Sequence, residues 1–166
     1  HEVQNFSGYF KEIDFGDKGG VITVFFGIPI TFENNTERAL SFVGALNEHF
    51  ATSFIIFITA ITEGVAFAGI IGGAERSQYA AIGSMVNLAA RLMTFANWGE
   101  VLVDENISKE KNFKFAYKGK IRYKGLEGEV PTYQLLESKN FQPIEFVGKM
   151  VARNKELTQL IDFAKP

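Results

Sequence analysis

The chain has 166 residues, of which 46% are hydrophobic and seventeen are Phe, enough for one domain with a substantial core. A formal net charge of −2 gives no electrostatic reason to expect nucleic acid or an anionic membrane as partner. The lack of Cys excludes disulfides and is compatible with a cytoplasmic protein.

The longest apolar stretch, around Phe54-Ile55-Ile56-Phe57-Ile58, is broken by Thr59, Thr62 and Glu63 and is too short to span a bilayer. N-glycosylation patterns at Asn5, Asn34 and Asn106 matter only in a secreted protein and are expected to be unused. His1 to Ser7 lacks the basic start and apolar run of a signal peptide. Both ends read as cuts in a longer chain, because Val151 to Leu157 opens a helical pattern shortly before Pro166.

From the N-terminus, Phe6, Tyr9, Phe10 and Ile13 fit either a helix end or the approach to a strand. After Gly16-Asp17-Lys18-Gly19-Gly20, the run Val21 to Phe26 is nearly all β-branched or aromatic and predicts a buried strand. Asn34-Asn35-Thr36 with Glu37 starts a helix, continued by Ala39, Leu40, Val43, Leu46 and Phe50 at helical spacing. Phe54 to Ala60 predicts a second buried strand, Glu63-Gly64 a turn, and Val65 to Ile71 a third strand.

Glu75 to Met93 begins polar and passes through a short β-prone run of small residues. It then becomes an amphipathic helix that ends near Asn97-Trp98-Gly99. Val86, Leu88, Ala89, Ala90, Leu92 and Met93 supply its packing groups. Asn87 and Arg91, four apart and so on one helix face, are poor core residues. Val101 to Val103 predicts a short strand, Asp104 to Lys109 a short helix, and Phe113 to Tyr123 and Thr132 to Leu136 further strands. No repeat or low-complexity segment interrupts this order, which predicts an α+β or α/β sandwich with helices against a central sheet.

Glu75 to Arg91 closely resembles the segment of class III nucleotidyl cyclases that reads roughly E-x-R-x-x-Y-T-V-I-G-x-x-V-N-L-A-A-R. The likeness runs from about Gly16 to Leu136. Phe25-Phe26-Gly27-Ile28-Pro29 resembles the family's F-G-x-P, Glu63 to Gly69 its G-x-V-x-x-G strand pair, and Tyr123-Lys124-Gly125 through Tyr133 its K-G ending. Ala152 to Leu157 is similar to the G-R-x-K-E-L that opens the NTPase region of soluble adenylyl cyclases. The resemblance implies an α+β, ferredoxin-like cyclase domain over residues 1–137, with a central, largely antiparallel sheet whose first strand would precede His1. Residues 138–166 would then be a linker and the start of a following, NTPase-like region.

In that family Asn orients the ribose and Arg stabilises charge on the reacting phosphate, which assigns catalytic roles to Asn87 and Arg91. Two divalent metals, Mg²⁺ or Mn²⁺, are held by a pair of Asp residues, and two domains meet head to tail to complete each site. The ungapped register puts Gly20 at the second metal Asp. Asp17 takes that place only if Lys18-Gly19-Gly20 is an insertion. Asp17-Lys18-Gly19 resembles the second catalytic domain of soluble adenylyl cyclases, in which the metal Asp is also replaced and the Lys recognises adenine.

On that resemblance Lys18 contacts the base and Lys124 the triphosphate. Ala80 stands where the family has a Thr or Asp for the exocyclic amine, which leaves the backbone carbonyl of Ala81 as acceptor. The implied partners are ATP and a second, metal-bearing cyclase domain, with the metal held mainly by that partner and the isolated chain inactive. The alternative is a degenerate cyclase fold that dimerises or senses a ligand to regulate a neighbouring region. His1 and His49 lack the Cys or His spacing of a zinc site. The run Gly69-Ile70-Ile71-Gly72-Gly73 lacks the glycine spacing and acidic residue of a dinucleotide loop.

Overall fold

The computed structural model describes residues 2–16, 19–73, 75–124 and 128–137. A four-residue helix, α1 (Glu2–Asn5), precedes strands β1 (Tyr9–Gly16) and β2 (Gly19–Phe25). Helix α2 (Asn35–Phe50), strand β3 (Thr59–Ile61) and the strands β4 (Phe67–Gly72) and β5 (Ser77–Ile82) follow. Next come helix α3 (Ser84–Phe95), β6 (Val101–Val103), a 3₁₀ turn at Ile107–Lys109, β7 (Lys114–Ile121) and β8 (Val130–Glu137).

The segment Phe6–Phe15, open between helix and strand in the sequence, is mostly strand. It pairs antiparallel with β2 from Tyr9↔Phe25 to Gly16↔Gly19. The expected burial of Val21–Phe26 holds only at one end. Val21 and Ile22 are exposed, whereas Val24 and Phe26 pack against the core that α2 builds. The reason is topological: β2 has β1 as its sole strand partner among the described residues.

Helix α2 buries Ala39, Leu40 and Val43, as the spacing predicts. Asn34 makes no side-chain cap. Its Oδ1 accepts instead from Arg38 Nε at 2.8 Å. Leu40, Phe42 and Val43 close one core with Phe6, Val101, Val103, Ile107 and Phe113.

The main sheet has the order β3-β6-β8-β7, with β3 and β6 parallel and the remaining neighbours antiparallel. Strand β6 accounts for its unbroken Val-Leu-Val. Val101 and Val103 face the α2 core, and Leu102 faces a second core with Leu88, Leu92 and Tyr123. The predicted strand Phe54–Ala60 is corrected by the structure to Thr59–Ile61, and Phe54, Ile55 and Ile56 are exposed. Only three residues of β6 pair with it, from Thr59↔Val101 to Ile61↔Val103, and backbone without a ladder partner is not held as strand.

The β-prone run before α3 forms β5, which pairs with β4 from Phe67↔Ile82 to Gly72↔Ser77. The α+β class is as expected, although the described strands divide among three sheets where one central sheet was expected. No helix among the described residues is long and apolar enough to cross a membrane.

Candidate active site

Helix α3 presents the two residues singled out by their spacing. Leu88 and Leu92 are buried against Leu102 and Tyr123, with Ala60, Met85, Ala96, Ile121 and Val130 around them. Asn87 and Arg91 each precede one of these anchors by one residue, and both are exposed, one turn apart. Among the described residues neither side chain makes a hydrogen bond or ion pair. The packed Leu face holds the helix down on the sheet and leaves the amide and guanidinium exposed.

The first turn of α3 is set by close approach. A Cβ on Gly83 would lie 3.0 Å from the Val65 carbonyl oxygen, and one on Gly64 would lie 2.4 Å from Met85 Cγ. The loop between β3 and β4 therefore lies flush against the start of the helix. Asn87 N–H donates to Gly83 O at 3.3 Å to close that turn.

Ala80 and Ala81 sit in β5 opposite Gly69 and Ala68, and both are buried. Successive strand residues point to opposite faces, so β5 is covered on both sides at this point. The base of the β1–β2 hairpin docks on the same strand. Tyr9 meets the Tyr79 ring edge-on at 5.4 Å, and its hydroxyl donates to Tyr79 O at 3.5 Å. Lys18 and Asp17 lie outside the described residues, between Gly16 and Gly19.

Gly20 pairs with Phe15, and a Cβ there would meet the Phe15 ring at 3.1 Å. Among the described residues no group of three His, Cys, Asp or Glu could hold a metal ion.

Lys124 is exposed and follows Tyr123, which is buried under α3 and contacts the Phe95 ring edge-on at 5.9 Å. Phe95 is one turn beyond Arg91, so Lys124 leaves the sheet beside the last turn of the helix that carries Asn87 and Arg91. Residues 125–127, including the rest of the K-G motif's turn, and the region 138–166 lie outside the described residues.

Sequence reasoning missed the groups beneath the site. Asp104 follows β6 and is only 4% exposed. Its Oδ1 accepts from Ile107 N–H at 3.1 Å and its Oδ2 from Glu63 N–H at 3.4 Å. Burial raises its pKa. The Ile107 and Glu63 amides pull the other way, and the Glu63 charge adds to the rise. Thr62 Oγ1 donates to Met85 O at 2.8 Å. The signal available for Asp104 was its place before the predicted short helix, where Asp caps. Nothing local marked Thr62.

Asn87 and Arg91 are thus exposed on one helix face of an α+β domain, and Lys124 is exposed where the chain has left β7. Residues 35–137, more than half of the chain, match the model of the adenylate and guanylate cyclase catalytic domain, and the chain belongs to that family. Its fold is similar to that of the adenylyl cyclase CyaB from P. aeruginosa, with TM-score 0.73 and 25% identity over 83% of this chain and 76% of that one. The guanylate cyclase domain of RhGC from Catenaria anguillulae, solved with GTP, has TM-score 0.68 and 19% identity over 83% of this chain and 77% of that one. A non-canonical dimeric guanylyl cyclase domain of the RhoGC fusion protein from Blastocladiella emersonii has TM-score 0.71 and 20% identity over 83% and 76%. At those identities the two guanylyl cyclases speak for the fold alone.

Proposed function

We propose that this cyclase domain is one half of a head-to-tail pair that converts ATP to 3′,5′-cyclic AMP and pyrophosphate. The observation that carries the reading is the exposure of Asn87 and Arg91, one turn apart, partnerless among the described residues and held by the buried Leu88 and Leu92. In the reaction the ribose 3′-oxygen bonds to the α-phosphorus, the bond to the pyrophosphate oxygen breaks, and the 3′ proton is lost. Asn87 orients the ribose. Arg91 meets the charge that develops at the phosphate.

Lys124 holds the triphosphate, and Lys18 donates to an adenine ring nitrogen. Ala80 has no side-chain acceptor for the exocyclic amine, so the Ala81 carbonyl takes that role. Gly20 offers no ligand, and for that reason Mg²⁺ or Mn²⁺ is assigned mainly to the partner domain. The solved neighbours include both an adenylyl cyclase and a guanylate cyclase domain with GTP. Lys18, in its Asp17-Lys18-Gly19 context, favours ATP here. The setting is cytoplasmic, with residues 138–166 leading into a following, NTPase-like region and no membrane or nucleic acid among the partners.

The test is reconstitution. The chain alone makes no cyclic nucleotide, and adding a cyclase domain with both metal Asp residues, with Mg²⁺ or Mn²⁺, yields cyclic AMP from ATP. Product from the isolated chain, or none from the pair, overturns the reading. Gly20 and Ala80 favour a second reading, a catalytically degenerate domain that senses a nucleotide to regulate its neighbour. Nucleotide binding to the pair without turnover supports that alternative.

A further inference from the structure

We propose that Thr62 is a positioning residue for Asn87 and Arg91, and that the buried Asp104 carboxylate holds it in place. The inference rests on the reading of Asn87 and Arg91 as the working groups.

Thr62 follows β3 by one residue, and its Oγ1 donates 2.8 Å to the carbonyl of Met85 in the first turn of α3, two residues before Asn87. A helical carbonyl has a second lone pair beyond the one used along the helix, so this bond fixes the helix without breaking it. Leu88 and Leu92 hold α3 down on the sheet, but apolar contacts are non-directional and leave sliding along the axis weakly resisted. The Thr62 bond is directional and resists that slide.

Thr62 is itself restrained by the next residue. Glu63 N–H donates to Asp104 Oδ2 at 3.4 Å, and Glu63 O accepts from Asn106 Nδ2 at 3.4 Å. Asp104 is anchored through Oδ1 to Ile107 N–H at 3.1 Å, in the turn that follows the sheet's central β6. The loop is therefore tied to the sheet on one side and to the helix on the other.

A second observation points the same way. Gly64 comes so close to Met85 that a Cβ would lie 2.4 Å from Met85 Cγ. The Met85 side chain therefore lies directly against the Gly64 backbone, which places the loop beside the first turn of α3. The displacement of a catalytic group by about 1 Å can cost about 10²-fold in rate, and loss of one hydrogen bond is worth about fivefold.

In the reconstituted pair, Thr62→Val, which keeps the shape and removes the hydroxyl, is expected to lower kcat about fivefold with KM for ATP nearly unchanged. Thr62→Ser, which restores the donor, recovers wild-type kcat. Gly64→Ala serves as a second variant should Thr62→Val fold poorly, and it lowers kcat in the same way by pressing on Met85. Independently of activity, amide NMR of the full 166-residue chain should show Thr62→Val shifting the resonances of residues 85–88. Wild-type kcat in Thr62→Val, no recovery in Thr62→Ser, or unshifted α3 amides overturns the proposal. A wild-type pair without turnover, in which those amides still shift, leaves the tether standing and removes the catalytic reading alone.

Discussion

The hydroxyls of Tyr123 and Thr132 share a 2.8 Å hydrogen bond while both side chains are buried in the layer under α3. Thr132 Oγ1 also donates to Val130 O at 3.1 Å, which makes the Tyr123 hydroxyl the donor of the shared bond. A polar pair in an otherwise apolar layer specifies one alignment of Tyr123, and with it the point from which Lys124 departs.

Removing that hydroxyl isolates its contribution. Tyr123→Phe is expected to lower stability by about 1 kcal/mol at neutral pH, read as a shift in urea midpoint, because Thr132 keeps its bond to Val130. Burial pushes the phenol's pKa up. The sign follows from linkage: the phenol's contribution is full below its ordinary value near 10 and is lost as pH rises through the raised folded value. The difference between wild type and Tyr123→Phe should therefore shrink in alkaline urea titrations, and a constant difference contradicts the assignment.

Asp104 gives a pH signature in the acid range. Its folded pKa is raised, chiefly by burial, so the folded state holds the proton more tightly than the unfolded chain. Its contribution is full below the ordinary carboxyl value near 4 and declines as pH rises through the raised value. Asp104→Asn removes that decline. Urea midpoints from pH 3 upward should show the variant gaining on wild type as the carboxylate ionises. Parallel curves would contradict the assignment.

Arg91→Ala, assayed in the reconstituted pair, should reduce turnover by about 10²–10³, the scale for one preorganised charge-stabilising group. Circular dichroism should stay that of wild type, because Arg91 is exposed and its side chain makes no hydrogen bond or ion pair among the described residues. Unchanged turnover removes Arg91 from the mechanism.

Gly72 has φ of +138° at the end of β4, and a Cβ there would meet Arg76 O at 2.2 Å. Gly72→Ala should destabilise by about 1–3 kcal/mol or more in thermal melts, because both the backbone region and the space exclude a side chain. Gly73→Ala, with nothing within 4 Å among the described residues, should stay within about 0.5 kcal/mol. Equal melting points for the two variants contradict the account of this turn.

The regular elements are written in local patterns. The 3.6-residue period wrote α2 and α3, the Val-Leu-Val run wrote β6, and the spacing of Asn87 and Arg91 put both on one helix face, because these patterns need only the geometry of their own element. The fate of the apolar runs was decided by tertiary structure. Val21-Ile22 and Phe54-Ile55-Ile56 read as buried strands, yet burial depends on partners that a segment cannot encode: among the described residues Val21 and Ile22 pair with β1 alone, Phe54 to Ile56 pair with no strand, and all five are exposed. The supporting layer of the candidate site was likewise illegible. Thr62 and Met85 stand 23 positions apart, and Glu63 and Asp104 stand 41 apart. No periodicity reports a hydrogen bond across such distances. Only the packing of β3, β6 and α3 brings those atoms within reach.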